Sequence, residues 1–272
     1  MEMSNAPDTL TWKMRRQLEQ FFSQSIHDHP DWPVIISEGD SWFSFPIHAN
    51  TVDFLDEVAG HRISLLRLEE SGDRALRIMG GSQKARLARL LHLYPVQALL
   101  FSGGGNDVIG EDLLPLLNNW QEGMSWQDSI NEETAKSRFD ALRSAYLDLI
   151  HLRDESRPDC KIYIHGYDWA IPSGKGAVMW GIKIGPWMKQ YMVQKHITDP
   201  ADQKAIIHEL LKRFNAMLDD IAGQNPNMVR VETLGTLAET EWNDELHPSR
   251  KGFQKIAGRF REKLREQFPG TF

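Results

Sequence analysis

Cysteine is almost missing: Cys160 is the only one in 272 residues. A single thiol excludes an intrachain disulfide and any zinc site built on a cysteine cluster, and it fits a reducing compartment. A basic excess is missing too. Lys plus Arg number 31 against 38 Asp plus Glu, for a formal charge of -7, which argues against a nucleic-acid partner. No stretch approaches the roughly 18 uninterrupted apolar residues of a membrane span. The start, MEMSNAPDTLTWKMRRQLEQFF, lacks a basic segment followed by an apolar one, so no secretory signal is visible. The expectation is a cytoplasmic protein without integral membrane association. Internal repeats, low-complexity tracts and obvious linkers are absent. So is a His-Glu-x-x-His pair, despite ten histidines, which disfavours a zinc hydrolase.

What is present is ordinary globular composition, 41% hydrophobic and 25% charged. Short aliphatic runs at Val34–Ser37, Ile63–Leu68, Val96–Phe101, Lys161–His165 and Met228–Val231 read as strands buried on both faces. Longer amphipathic stretches separate them. The segment 51–60 ends on Gly60, a C′ glycine. The segment 82–94 puts Leu87, Leu90 and Leu91 on one face with Ser82 as N-cap. Helices are also expected over 135–155, over 202–223 with its end at Gly223, and over 249–268. This alternation predicts an α/β fold, a three-layer α/β/α sandwich on a parallel sheet of about five strands. Residues 1–30 read as an N-terminal helical extension and 31–272 as one domain.

In such sheets ligands bind beyond the carboxyl ends of the strands. After the first strand comes Gly39-Asp40-Ser41. After the third comes Gly103-Gly104-Gly105-Asn106-Asp107. Before the last helix comes Asp244-Glu245-Leu246-His247-Pro248. Each has a plain alternative: a turn, a flexible or phosphate-binding loop, a helix N-cap. Together they supply a serine hydroxyl, a histidine that can act as its base, a carboxylate for the second imidazole nitrogen, and an amide donor for a developing oxyanion. The Gly-x-Ser-x-Gly elbow of α/β-hydrolases is not present at Ser41, because Phe43 follows where glycine would stand.

In these blocks the sequence resembles the SGNH (GDSL-type) hydrolases, from about Val34 to the C-terminal helix. The resemblance implies a flavodoxin-like fold and a catalytic triad of Ser41, His247 and Asp244. It also implies an oxyanion hole from the Ser41 amide, the amide of Gly80 or Gly81, and the Asn106 side chain. Neither a metal nor a cofactor is implied. The implied activity is that of a serine esterase, lipase or acetylesterase acting through an acyl-enzyme on a small-molecule, lipid or carbohydrate ester. An acyltransferase on the same triad and a binding module that retains the fold are the alternatives. Trp42 stands where the eponymous motif has leucine.

Trp42, Phe43 and Phe45 would favour an apolar acyl group if they line the pocket. His165, at the end of a strand, either lines the site or is a hydrogen-bonded core residue. The segment GKGAVMWGIKIGPWMKQYM, within an insert at about 174–196, combines Trp180, Trp187, methionines and glycines. It reads either as an apolar lid over the acyl group, with Trp180 and Trp187 as substrate contacts, or as core or a contact between copies of a homo-oligomer.

Overall fold

The aliphatic runs become strands because each can bury both faces. All six residues of β1 (Val34–Gly39) and all five of β3 (Ala98–Ser102) are buried. With β2 (Ser64–Arg67), β4 (Lys161–His165) and β7 (Met228–Val231) they form one sheet in the order β2-β1-β3-β4-β7. Every pairing in it is parallel. These features come from a computed structural model that describes residues 12–179 and 181–272. Two further strands, β5 (Ala177–Met179) and β6 (Ile182–Ile184), form a separate antiparallel pair.

Helices cover the sheet. In chain order they are α1 (Trp12–Asp28), α2 (Ser41–Ser44), α3 (Thr51–Val58), α4 (Ala75–Gly80), α5 (Ser82–Leu93), α6 (Gly105–Val108), α7 (Glu132–Ser156), α8 (Lys189–Gln194), α9 (Pro200–Gln224) and α10 (Arg250–Gln267). One layer packs α3 on α10, and the other runs α5, α7, α9. On α5, Leu87, Leu90 and Leu91 are fully buried, each stabilising by about 1.5–3 kcal/mol. The helix α1 lies against the β2 side of the body: Phe22 is buried and Ser25 Oγ meets Ser64 Oγ at 2.7 Å.

Some local expectations shift. Ser82 is the first helical residue of α5 rather than its N-cap; Gly81 occupies the cap and has no side chain to offer. Helix α9 runs one residue beyond Gly223. The N-cap of α10 is Ser249, which accepts the Gly252 N–H at 3.2 Å, so Asp244 is left for other partners. Gly60 follows α3 with φ +61, as a C′ glycine should.

The strand order has one reversal. From β1 the chain steps to β2 on one side, then crosses to β3 on the other. The crevice beyond the carboxyl ends of β1 and β3 is the place such a sheet offers to a ligand.

Candidate active site

Ser41 enters this crevice on the first residue of the one-turn helix α2. Asp40 caps that helix, accepting the Trp42 N–H at 3.0 Å. The Ser41 N–H lies at the first helical position, where no intrahelical acceptor exists. The sharp exit from β1 depends on Gly39, whose φ is +148 and where a Cβ would stand 2.1 Å from the Ser102 carbonyl oxygen.

Two hundred and six positions later the chain returns to the same spot. Ser41 Oγ lies 2.8 Å from His247 Nε2. His247 Nδ1 lies 2.8 and 3.0 Å from the two carboxylate oxygens of Asp244. An ionised carboxylate only accepts, so Nδ1 carries the hydrogen and Nε2 presents its lone pair to the serine hydroxyl. The turn that makes this possible is local. Asp244 Oδ1 also accepts the N–H groups of Leu246 and His247, each at 2.9 Å. Burial would raise the Asp244 carboxyl, but the bonds from His247, and then from Asn243 and Leu246, hold it below its ordinary value. Phe45 stacks on the imidazole with centroids 4.5 Å apart, and Trp187 meets it edge-on at 5.1 Å.

Asn106, at the start of α6, borders the same cleft as Ser41, Gly72 and His247. One of its amide hydrogens goes to the Asp73 carbonyl at 2.8 Å, which fixes the side chain and leaves the second hydrogen for the cleft. Asp107 anchors the two loops together by accepting the Ala75 N–H at 2.8 Å. Burial pushes Asp107 and Asp73 up to about 6 each.

Gly80 and Gly81 do not reach the site. Two short helices, not one, follow β2, and this glycine pair is the exposed joint between α4 and α5. The glycine that borders the cleft is instead Gly72, with φ +87, in the loop Ser71-Gly72-Asp73 ahead of α4. Its signal in the sequence is a glycine followed by aspartate in the loop between a strand and a helix.

Beneath Ser41 lies a buried polar floor. Asp40 accepts hydrogen bonds from Ser102 Oγ at 2.7 Å and from the Tyr167 hydroxyl, besides the Trp42 N–H. Burial raises the Asp40 carboxyl while these three donors oppose the rise. His165 is fully buried and is pushed down to about 3 by that burial, with Arg230 adding to it. Its Nδ1 accepts the Tyr167 N–H at 3.3 Å, so Nε2 donates to Ser102 Oγ at 2.8 Å. His165 is therefore a hydrogen-bonded core residue rather than a lining one.

Of the aromatic candidates, Phe43 points into the core against His165 and Phe260, with no exposure, and does not line the cleft. Trp42 is also buried. Its Nε1–H donates to the Leu246 carbonyl at 3.0 Å, and its ring walls a small void of about 20 Å³ beside Ser41. The larger cleft, about 170 Å³, is walled by Phe45, Ile47, Ala177, Met179, Ile184 and Trp187. Trp187 is thus where a substrate contact is expected, whereas Trp180 lies outside the described residues. The insert divides: the β5–β6 hairpin walls the cleft, while Met188 and Met192, at and within α8, are buried in the body. Among the described residues no helix is long and apolar enough to cross a membrane.

No family model matches this chain, and a search of curated proteins finds no match. Solved structures do match. A lipase from a goat rumen metagenome is similar at 13% identity and TM-score 0.53, over 85% of this chain and 96% of that one. A carbohydrate esterase family 3 structure from Talaromyces cellulolyticus aligns at 14% identity and TM-score 0.51, over 86% and 97%. A protein of Slackia heliotrinireducens described as an SGNH hydrolase aligns at 12% identity and TM-score 0.51, over 86% of this chain and all of that one. Sheet order, layers and these likenesses agree: the chain has the SGNH hydrolase fold, a three-layer α/β/α sandwich on a five-stranded parallel sheet.

Proposed function

We propose that the protein is a serine esterase that cleaves carboxylic esters through an acyl-enzyme on Ser41. The observation that carries this reading is the hydrogen-bonded line from Ser41 Oγ through His247 to Asp244, with both steps at 2.8 Å. A serine hydroxyl is a poor nucleophile until a neighbouring base can take its proton. His247 Nε2 takes that proton as Oγ attacks the ester carbonyl, and Asp244 stabilises the imidazolium. The oxyanion is received by the Ser41 N–H, the Gly72 N–H and the free hydrogen of Asn106 Nδ2. His247 then protonates the leaving alcohol. Water, deprotonated by His247, attacks the acyl carbonyl and releases the acid, restoring the Ser41 hydroxyl.

The cleft supports an apolar acyl group of modest size. Its walls are Phe, Ile, Ala, Met and Trp, and about 170 Å³ is below the usual 300–1,000 Å³ of a site for drug-sized ligands. The likeness in fold to a solved lipase and a carbohydrate esterase supports hydrolysis as the chemistry. The test is turnover of p-nitrophenyl esters. Wild-type protein should give a burst of p-nitrophenol followed by steady release, and Ser41→Ala should lose about 10⁴-fold or more in kcat with its melting curve retained. Activity in Ser41→Ala at a tenth of wild type would end this assignment.

A further inference from the structure

Next to the Ser41–His247–Asp244 line is a carboxylate that the reaction does not use. Glu245 is fully buried, and all of its acceptor capacity goes to main-chain N–H groups. Its Oε1 accepts from Gly174 at 2.7 Å and Lys189 at 3.2 Å; its Oε2 accepts from Trp187 at 2.6 Å and Met188 at 2.8 Å. The Glu245 N–H in turn donates to the Lys175 carbonyl at 3.2 Å. Gly174 and Lys175 precede β5, and residues 187–189 follow β6. Both stems of the hairpin therefore converge on one side chain, and that side chain sits between Asp244 and His247.

Among the described residues the hairpin has little else to hold it. Each strand is three residues long, and a hairpin alone is marginal in water. Val178 and Ile182 are 62% and 66% exposed, so packing does not fix these two side chains. A carboxylate buried without donors would be costly, whereas four charge-assisted bonds make it a strong anchor. The Trp187 ring that meets His247 edge-on belongs to a residue whose own N–H is on Glu245.

We propose that Glu245 is a positioning residue: it fastens the hairpin wall and Trp187 to the Asp244–His247 turn and thereby sets acyl-chain selectivity. This rests on the esterase reading above. The wall is a fixed one, set against the turn that carries the base, rather than a lid swinging on its glycines.

The experiment compares wild type with Glu245→Gln, which keeps the shape but aims an NH₂ group at two of the N–H donors. Steady-state kinetics on p-nitrophenyl acetate and hexanoate are paired with hydrogen exchange of the Gly174, Trp187, Met188 and Lys189 amides. The hexanoate-to-acetate ratio of kcat/KM should fall about tenfold, the scale of two buried methylenes, mainly through KM for hexanoate. Acetate turnover should fall by about threefold at most. The four amides should lose protection in the variant while those of β3 keep theirs. Equal loss on both esters, or an unchanged ratio, overturns the proposal. If the variant does not fold, rapid exchange of the four amides in wild type overturns it, and strong protection there supports it. A wild type inactive on both esters overturns the esterase reading and this proposal with it, an outcome distinct from an active wild type with a uniformly weakened variant.

Discussion

Beneath Ser41, Asp40, Ser102, His165 and Tyr167 hold one another through hydrogen bonds inside the sheet and the turns that leave it. Beside Ser41, the β5–β6 hairpin offers Ala177, Met179 and Ile184 to the cleft while leaving Val178 and Ile182 in solvent. The floor has several partners for each group and almost no exposure. The wall has short strands and depends on contacts at its base. The difference separates two tasks: a floor that keeps Ser41 in one place, and a wall that shapes the cleft beside it. Substitutions at the floor side should therefore change the rate for every ester, and substitutions at the wall should change which ester is preferred.

The largest effect that sharpens this contrast is expected at Asn106. Asn106→Ala should lower kcat by roughly 10²–10³-fold for acetate and hexanoate esters alike, with KM little changed, as for a lost oxyanion donor. A defect confined to KM would instead make Asn106 a ground-state contact. Trp187→Ala is the smaller break, on the wall. It should reduce kcat/KM for hexanoate about tenfold more than for acetate, because lost apolar surface is felt in proportion to chain length. A uniform loss with a lower melting temperature would place Trp187 with the core instead of the substrate.

The sheet and the Ser41, Asp244 and His247 motifs are more legible in the sequence than the hydrogen bonds of the floor or the shape of the wall, for a physical reason. Strands buried on both faces leave aliphatic runs, and β4 and β7 were readable to the residue. The residues of the Ser41–His247–Asp244 line sit in short motifs at element boundaries, and each motif supplies its own turn. The aromatic run after Ser41 was harder. In the one-turn helix α2 each residue rotates by about 100°, so Phe43 turns into the core, and Phe45, beyond the helix, reaches His247. Neighbours in sequence were not neighbours in the pocket. Gly80-Gly81 is conspicuous as a pair, whereas Gly72 stands alone in the loop before α4, a helix of only six residues. Glu245 left no local trace at all. Its partners lie 56 to 71 positions away, and its role exists only once the insert has folded back on the turn.

Covalent trapping decides whether Ser41 is the nucleophile. A fluorophosphonate ester should inactivate the protein with loss of one fluoride per chain, and peptide mass spectrometry should find the phosphonyl group on Ser41. Ser41→Ala should take up none. Inactivation with the adduct on another side chain, or an active protein that is never labelled, would rule Ser41 out.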